Sequence, residues 1–362
     1  MTQIDPQLQG DFGFSEKSWE YAAAFADSLG ALPGSVSSII RLLLCDYDKD
    51  PHNLSSDTKF LFKRFLKSRS FQAPYFHSVA MFKPERLLPA DEPFTPRDFL
   101  ESFSGPEHAF LIGMIFLNRQ AKALCDEAMF ENATACLQRG LNVGWLVGKT
   151  LRPVGTEAGL FTGSYKWLGI IPFLRHDPEG FKLYSRHLRK RDFGTTDLEF
   201  ETARWECTSS QVGIMLLQRM GFGVNRLVPL MRATTTISAA APSDALERRY
   251  RAAEVWIRYI LENRKFPSVP LPPSLYLKPE EIEDITRRLL DGVPAKIRNW
   301  LSCTSRDVSP TSTPQLFLED PNKDNGGAEE AENGELAATL NNPALAQDEN
   351  LESFLEDRAR PA

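Results

Sequence analysis

Residues 163–174 read GSYKWLGIIPFL. A glycine, two residues, a pair, an apolar residue and a second glycine precede an apolar run. That is the spacing of a buried helix carrying two metal ligands side by side. The pair is Lys166-Trp167, and neither residue can ligate: an ammonium has no lone pair at neutral pH, and an indole offers only an N–H donor. The frame predicts a packed helix, and the pair raises the question of what such a helix does without its chemistry.

Outward from it the chain reads as helix after helix, with no convincing period-two alternation. SWEYAAAFADSLG (18–30) puts Trp19, Ala22, Ala23 and Ala26 on one face and stops at Gly30. GSVSSIIRLLL (34–44) repeats the pattern with Val36, Ile39, Ile40 and Leu43. SSDTKFLFKRFLKS (55–68) offers Ser56 as cap before Leu61, Phe62, Phe65 and Leu66. FTPRDFLESF (94–103) has Thr95 as cap, Pro96 at the first helical position and Asp98 in the first turn. A helix from about Pro106 to Asp126, apolar nearly all round at its start, reads as central. Another follows over about Ala128–Lys149, then a basic helix over Gly180–Arg191. Residues 197–223 read as two helices meeting near Cys207, the second closed by Gly221, and 243–264 as a long amphipathic helix.

The expected fold is all-α: two packed helical subdomains over 1–125 and 126–265, then a helical extension over 266–305. From Arg306 onward the chain is polar and rich in Gly, Pro, Ser and Asn. It carries 13 acidic against 4 basic residues, a balance of −9 out of a total of −6, which leaves the rest at +3. Such a segment cannot bury enough apolar surface to offset its ordering entropy, so 306–362 is expected to be a disordered acidic tail. Its last piece, NLESFLEDRARPA, is either a frayed end or a docking peptide.

Composition narrows the function classes. The chain is 42% hydrophobic and 25% charged, enough for a core in one large or two ordinary domains. Five cysteines occur without a C-x-x-C pair, as expected of free thiols in a reducing compartment. The N-terminus has no secretory pattern, and the longest apolar run, AFLIGMIFL (109–117), is far short of the roughly 20 residues a membrane span needs. A cytoplasmic protein is expected.

Enzymatic traces are missing. None of the five histidines (His52, His77, His108, His176, His187) has a His or carboxylate at i+4, and three fall in expected loops. There is no G-x-S-x-G elbow and no phosphate-binding glycine loop. No cofactor or metal is expected. The strongest charged feature is KLYSRHLRKRD (182–192), with Arg186, Arg189, Lys190 and Arg191. It reads either as a contact surface for phosphates or as a solvated helix face. With Tyr184 its only aromatic, it is a poor base-stacking surface, which argues against nucleic acid.

Taken in order, several segments resemble the HD-related output domain (HDOD) family of bacterial signalling proteins. LGALPGSVSSIIRLL (29–43) resembles the family's opening helix, and 94–124 the helix that leads into the HD half. CLQRGLNVGWLVGKTL (136–151) stands for the helix with a His-Ser step, and GSYKWLG (163–169) for GLLHDIG. ECTSSQVGIMLLQRMGFG (206–223) matches the family's GxDHxxVGxxLLxxWGLP, with Val212, Gly213, Leu216, Leu217 and Gly221 in register. The resemblance spans about 15–265 and implies an HD-like multi-helical bundle.

Carried over by position, the family's first histidine falls at Arg139, its His-Asp doublet at Lys166 and Trp167, its DH histidine at Ser209, and a later His-His pair near Thr234 and Thr235. Glu201 alone keeps an acid. Metal-dependent phosphohydrolysis is therefore not expected. HDOD proteins are regarded as regulatory modules, so the resemblance implies a non-catalytic regulatory or scaffold protein that works through protein partners, some of them signalling components. Two local readings stay open. Lys166 reaches solvent while Trp167 fills the vacated space, or Arg139, Lys166 and Arg204 line a cationic pocket for a nucleotide or second messenger.

Overall fold

A computed structural model describes residues 12–66, 69–87, 96–190, 195–235, 244–261, 283–288 and 300–302. The expected cap Thr95, Arg191, the tail from Arg306 and most of 266–305 lie outside the described residues. Among the described residues the protein is all-α, without a strand. Besides the helical residues 283–288, fourteen helices are seen among the described residues: α1 (Glu16–Asp27), α2 (Gly34–Lys49), α3 (Ser56–Leu66), α4 (Arg69–Phe82), α5 (Pro96–Ser102), α6 (Gly105–Lys122), α7 (Glu127–Thr150), α8 (Thr156–Gly169), α9 (Ile171–His176), α10 (Pro178–Lys190), α11 (Leu198–Trp205), α12 (Ser209–Arg219), α13 (Val224–Thr235) and α14 (Ala245–Leu261). None of these helices is long and apolar enough to cross a membrane.

The helix ends follow from local chemistry. Ser15 caps α1 by accepting from the Ser18 N–H at 3.2 Å, and Asp126 caps α7 through the Met129 N–H. At α12 the Thr208 hydroxyl accepts from the Gln211 N–H while the Gln211 carboxamide oxygen accepts from the Thr208 N–H, a complete capping box. The same helix closes with the Gly221 N–H on Gln218 O and the Phe222 N–H on Leu217 O. Gly221 has φ 98°, where a side chain would be strained. At α3 the cap is Ser55, not the expected Ser56: its hydroxyl accepts from the Thr58 N–H. Two helices outside the expected set, α4 and α13, each contain a proline, Pro74 and Pro229. Each sits in the second turn, where it removes a single i→i−4 bond.

By contacts the chain forms two units that interleave in sequence: Met1–Ala31 with Gln120–Arg298, and Leu32–Arg119 with Asn299–Ala362. The expected boundary at 125/126 thus keeps α1 apart from the helices it groups with. In the second of these units the core is aromatic. His108 is fully buried, stacked on Tyr75 and edge-on to Phe62 and Phe103. Its Nε2 meets Leu100 O at 3.0 Å and its Nδ1 bonds the Tyr75 hydroxyl. Burial pushes the imidazole down to about 4, so the ring is neutral.

In the first unit α8 is the central element. All of it from Glu157 to Gly169 is buried except Lys166. Its neighbour α7 carries Gly140, Gly144 and Gly148, and Gly155, Gly159 and Gly163 run the opposite way at the start of and along α8. A methyl on Gly140 would fall 1.9 Å from Gly163 O, one on Gly144 2.1 Å from Gly159 O, and one on Gly148 2.4 Å from Gly155 O. The two backbones touch along three successive turns, which only glycine permits. On another side, a methyl on Gly169 would fall 1.9 Å from Ser209 O and one on Gly213 2.1 Å from Tyr165 O, so α12 packs equally close. The helix α1 is fastened to α12 by Arg219, which donates to the carbonyls of Ala26 and Gly30, and by Gln211 Nε2 on Ser18 Oγ at 2.6 Å.

Candidate functional site

The clamp of glycines fixes what surrounds Lys166 and Trp167. Trp167 is 4% exposed and lies over Gly140, where a methyl would come 2.7 Å from its Cδ1. Lys166 turns outward to α14, and its ammonium donates to Glu254 Oε1 at 2.6 Å, with the side chains 18% and 10% exposed. Burial acts to lower the lysine, but the Glu254 carboxylate outweighs it, and the ammonium is held above its ordinary value. The space left beside the pair, lined by Thr162, Gly163 and Arg258 among others, is about 30 Å³, room for one or two waters.

Glu201 and Ser209 come together at a separate buried point. Glu201 is fully buried in α11, and its Oε2 accepts from the Ser209 N–H at 2.6 Å while Oε1 accepts from the Ser209 hydroxyl at 3.0 Å. The Tyr184 hydroxyl of α10 also donates to Oε1. In turn that hydroxyl accepts from the Asp197 N–H at 3.1 Å, and the Asp197 carboxylate, the cap of α11, meets His187 Nε2 at 2.7 Å. Burial pushes the Glu201 carboxyl up to about 7 against the pull of the donors around it. This network ties α10, α11 and α12 together. Ser209 is fully buried, so its hydroxyl is a strut with no access to a substrate.

The cationic residues do not gather in one pocket. Arg204 lies at the end of α11 with its Nε on Asp177 Oδ2 at 2.8 Å, and neither it nor Arg139 lines the space beside Lys166. Arg139 is half-buried on α7, close enough to Cys136 to offset part of the rise that burial imposes on that thiol. Thr234 of α13 bonds the Tyr165 hydroxyl, so α8, α12 and α13 converge at Tyr165. On α10, Lys182, Arg186, Arg189 and Lys190 are all exposed while Phe181, Tyr184 and Leu188 are buried.

The histidine expectation needs correcting. Four of the five stand in helices, His77 in α4, His108 in α6, His176 in α9 and His187 in α10, where only two were expected. Among the described residues, no three His, Cys, Asp or Glu are placed to share a metal ion. The residues that sequence reasoning missed are Glu254, Tyr184, Asp197 and His187. Asp197 had a faint signal in the Asp197–Glu201 spacing, one turn apart at a helix start, and Tyr184 and His187 had none that pointed to Glu201. Glu254 had none.

The chain matches no known family model, curated protein or solved structure.

Proposed function

We propose that this chain is a non-catalytic, HDOD-like regulatory or scaffold protein that acts through protein–protein contact in bacterial signal transduction. The observation that carries the reading is how little space is left at Lys166. At the positions where the resemblance puts a His-Asp doublet stand an ammonium committed to Glu254 and an indole sealed against Gly140. The remaining 30 Å³ is about a tenth of the smallest ligand pockets, which favours this reading over a nucleotide sensor using the same place. What such a chain offers is its surface.

Three measurements on the full chain test it. Metal analysis of the purified protein is expected to find no stoichiometric metal, and one Fe, Mn or Zn per chain sinks the reading. In a thermal-shift screen with mono-, di- and cyclic nucleotides at millimolar concentration, the melting temperature is expected to stay put. A clear rise transfers the function to nucleotide sensing. Cross-linking in the native host, with and without 306–362, is expected to recover one dominant protein partner.

A further inference from the structure

A cleft of about 570 Å³ lies in the first unit, walled by α1, the end of α9 and the end of α11. Its volume is that of a small-molecule site, and it is built from two kinds of surface. The floor is aromatic: Trp205 stacks on Phe173 at 4.1 Å, Phe25 stands edge-on to the same ring, and both are buried. The rim carries the exposed His176 ring, edge-on to Phe25, and the half-buried Tyr21.

Into this cleft comes Arg204. Asp177 Oδ2 accepts from Arg204 Nε at 2.8 Å and from Trp205 Nε1 at 3.1 Å, while Oδ1 accepts from the Gly180 N–H. A methyl on Gly180 would fall 2.1 Å from Asp177 Oδ2 and 2.8 Å from Arg204 Nε, so the glycine leaves room for the pair. The guanidinium is thus pinned by one nitrogen. Among the described residues Asp177 is its one bonded partner, and the side chain remains 49% exposed. Its two terminal nitrogens form a fixed fork with unspent donors, the arrangement that takes a planar carboxylate in two parallel bonds. At the cleft wall the other acid, Glu206, is engaged by Lys17 at 3.0 Å, so it does not compete for Arg204. Glu206 is also the one described non-glycine residue at positive φ, 58°, the left-handed residue that ends α11 with its N–H on Thr202 O.

We infer that this cleft binds a carboxylate carried on an aromatic body, the ring against the Trp205–Phe25 floor and the carboxylate on the Arg204 fork. A free aromatic acid and an acidic–aromatic stretch of peptide present the same chemistry. The inference stands without the HDOD-like reading.

The test is saturation-transfer NMR on the full chain with N-acetyl-phenylalanine and its primary amide, which lacks the carboxylate. The acid is expected to bind roughly five-fold tighter than the amide, the worth of one partly exposed charged pair. Arg204→Gln should erase that difference. Ala24→Glu, at an exposed lining position, should block both ligands with the melting temperature unchanged, which keeps the test valid if the Arg204 variant folds poorly. A blocked Phe-Glu dipeptide amide, whose one carboxylate is a side chain, separates the sources: tighter binding than the free acid assigns a peptide, weaker binding a small molecule. Equal binding of acid and amide, no transfer to any of the three, or an acid preference that survives both substitutions overturns the site.

Discussion

Lys166 of α8 and Glu254 of α14, 88 residues apart in sequence, form an ion pair of 2.6 Å. The pair occupies what little room the glycine-clamped helix leaves, and both charges depend on each other. Removing one partner leaves a largely buried charge uncompensated, whereas replacing both with apolar groups removes the desolvation penalty along with the attraction. Lys166→Met should therefore cost about 3 kcal/mol, and Lys166→Met with Glu254→Leu should recover most of it. Urea denaturation of the two variants checks this. If the double variant is no more stable than the single one, the pair is not the source of the cost.

The contact between Gly144 and Gly159 predicts a sign. In an ordinary helix interior Gly→Ala stabilises by about 1 kcal/mol. Here the methyl would meet backbone at 2.1 Å, and backbone cannot swing aside as a side-chain tip can. Gly144→Ala should destabilise by about 3 kcal/mol or prevent soluble folding. A neutral or stabilising result by thermal melting would show that α7 and α8 are not in backbone contact.

These two relationships differ in how far they were legible in the sequence. The buried faces of α1 and α2 are read directly from spacing, because an amphipathic helix writes its packing into every third and fourth residue. The glycines 140, 144 and 148 and 155, 159 and 163 are equally visible, but their significance needs the antiparallel pairing that puts one row on the other. Lys166–Glu254 has no local signature, since either residue alone looks like one more charge on a helix. The helices α4 and α13 escaped because Pro74 and Pro229 signal breaks, and the structure absorbs each as one lost bond. His77 and His176 lie outside the stretches whose spacing reads as helix, yet they stand in α4 and at the end of α9.

His108 predicts an acid-side loss. Its folded ring is held down to about 4, from an ordinary value of 6.5. Between those values the unfolded chain takes up a proton that the folded one refuses, so this group's contribution is full above pH 6.5 and falls as pH drops towards 4. His108→Phe gives up the bonds to Tyr75 and Leu100, so it should be less stable at pH 7, and its deficit should shrink by up to about 3 kcal/mol as pH falls to 4. Denaturation curves of the two proteins at matched pH decide it; parallel curves across that range contradict a buried neutral His108.

Glu201 predicts the opposite slope in an overlapping window. Its carboxyl rises from 4.5 to about 7, first through burial and in small part through Asp197, while Tyr184 and Ser209 oppose the rise with their hydrogen bonds. Between pH 4.5 and 7 the folded chain holds a proton that the unfolded chain releases. Its contribution is therefore fully present below pH 4.5 and is lost as pH climbs through 7. Glu201→Gln removes the titration and keeps the shape. The wild-type stability minus that of the variant should decline by about 3 kcal/mol from pH 4.5 to above 7, and subtracting the two curves cancels the groups that are not coupled to Glu201. A flat difference would mean that the three donors around Glu201 hold it ionised throughout. In that case the network joining α10, α11 and α12 would be charged at every pH at which the protein folds.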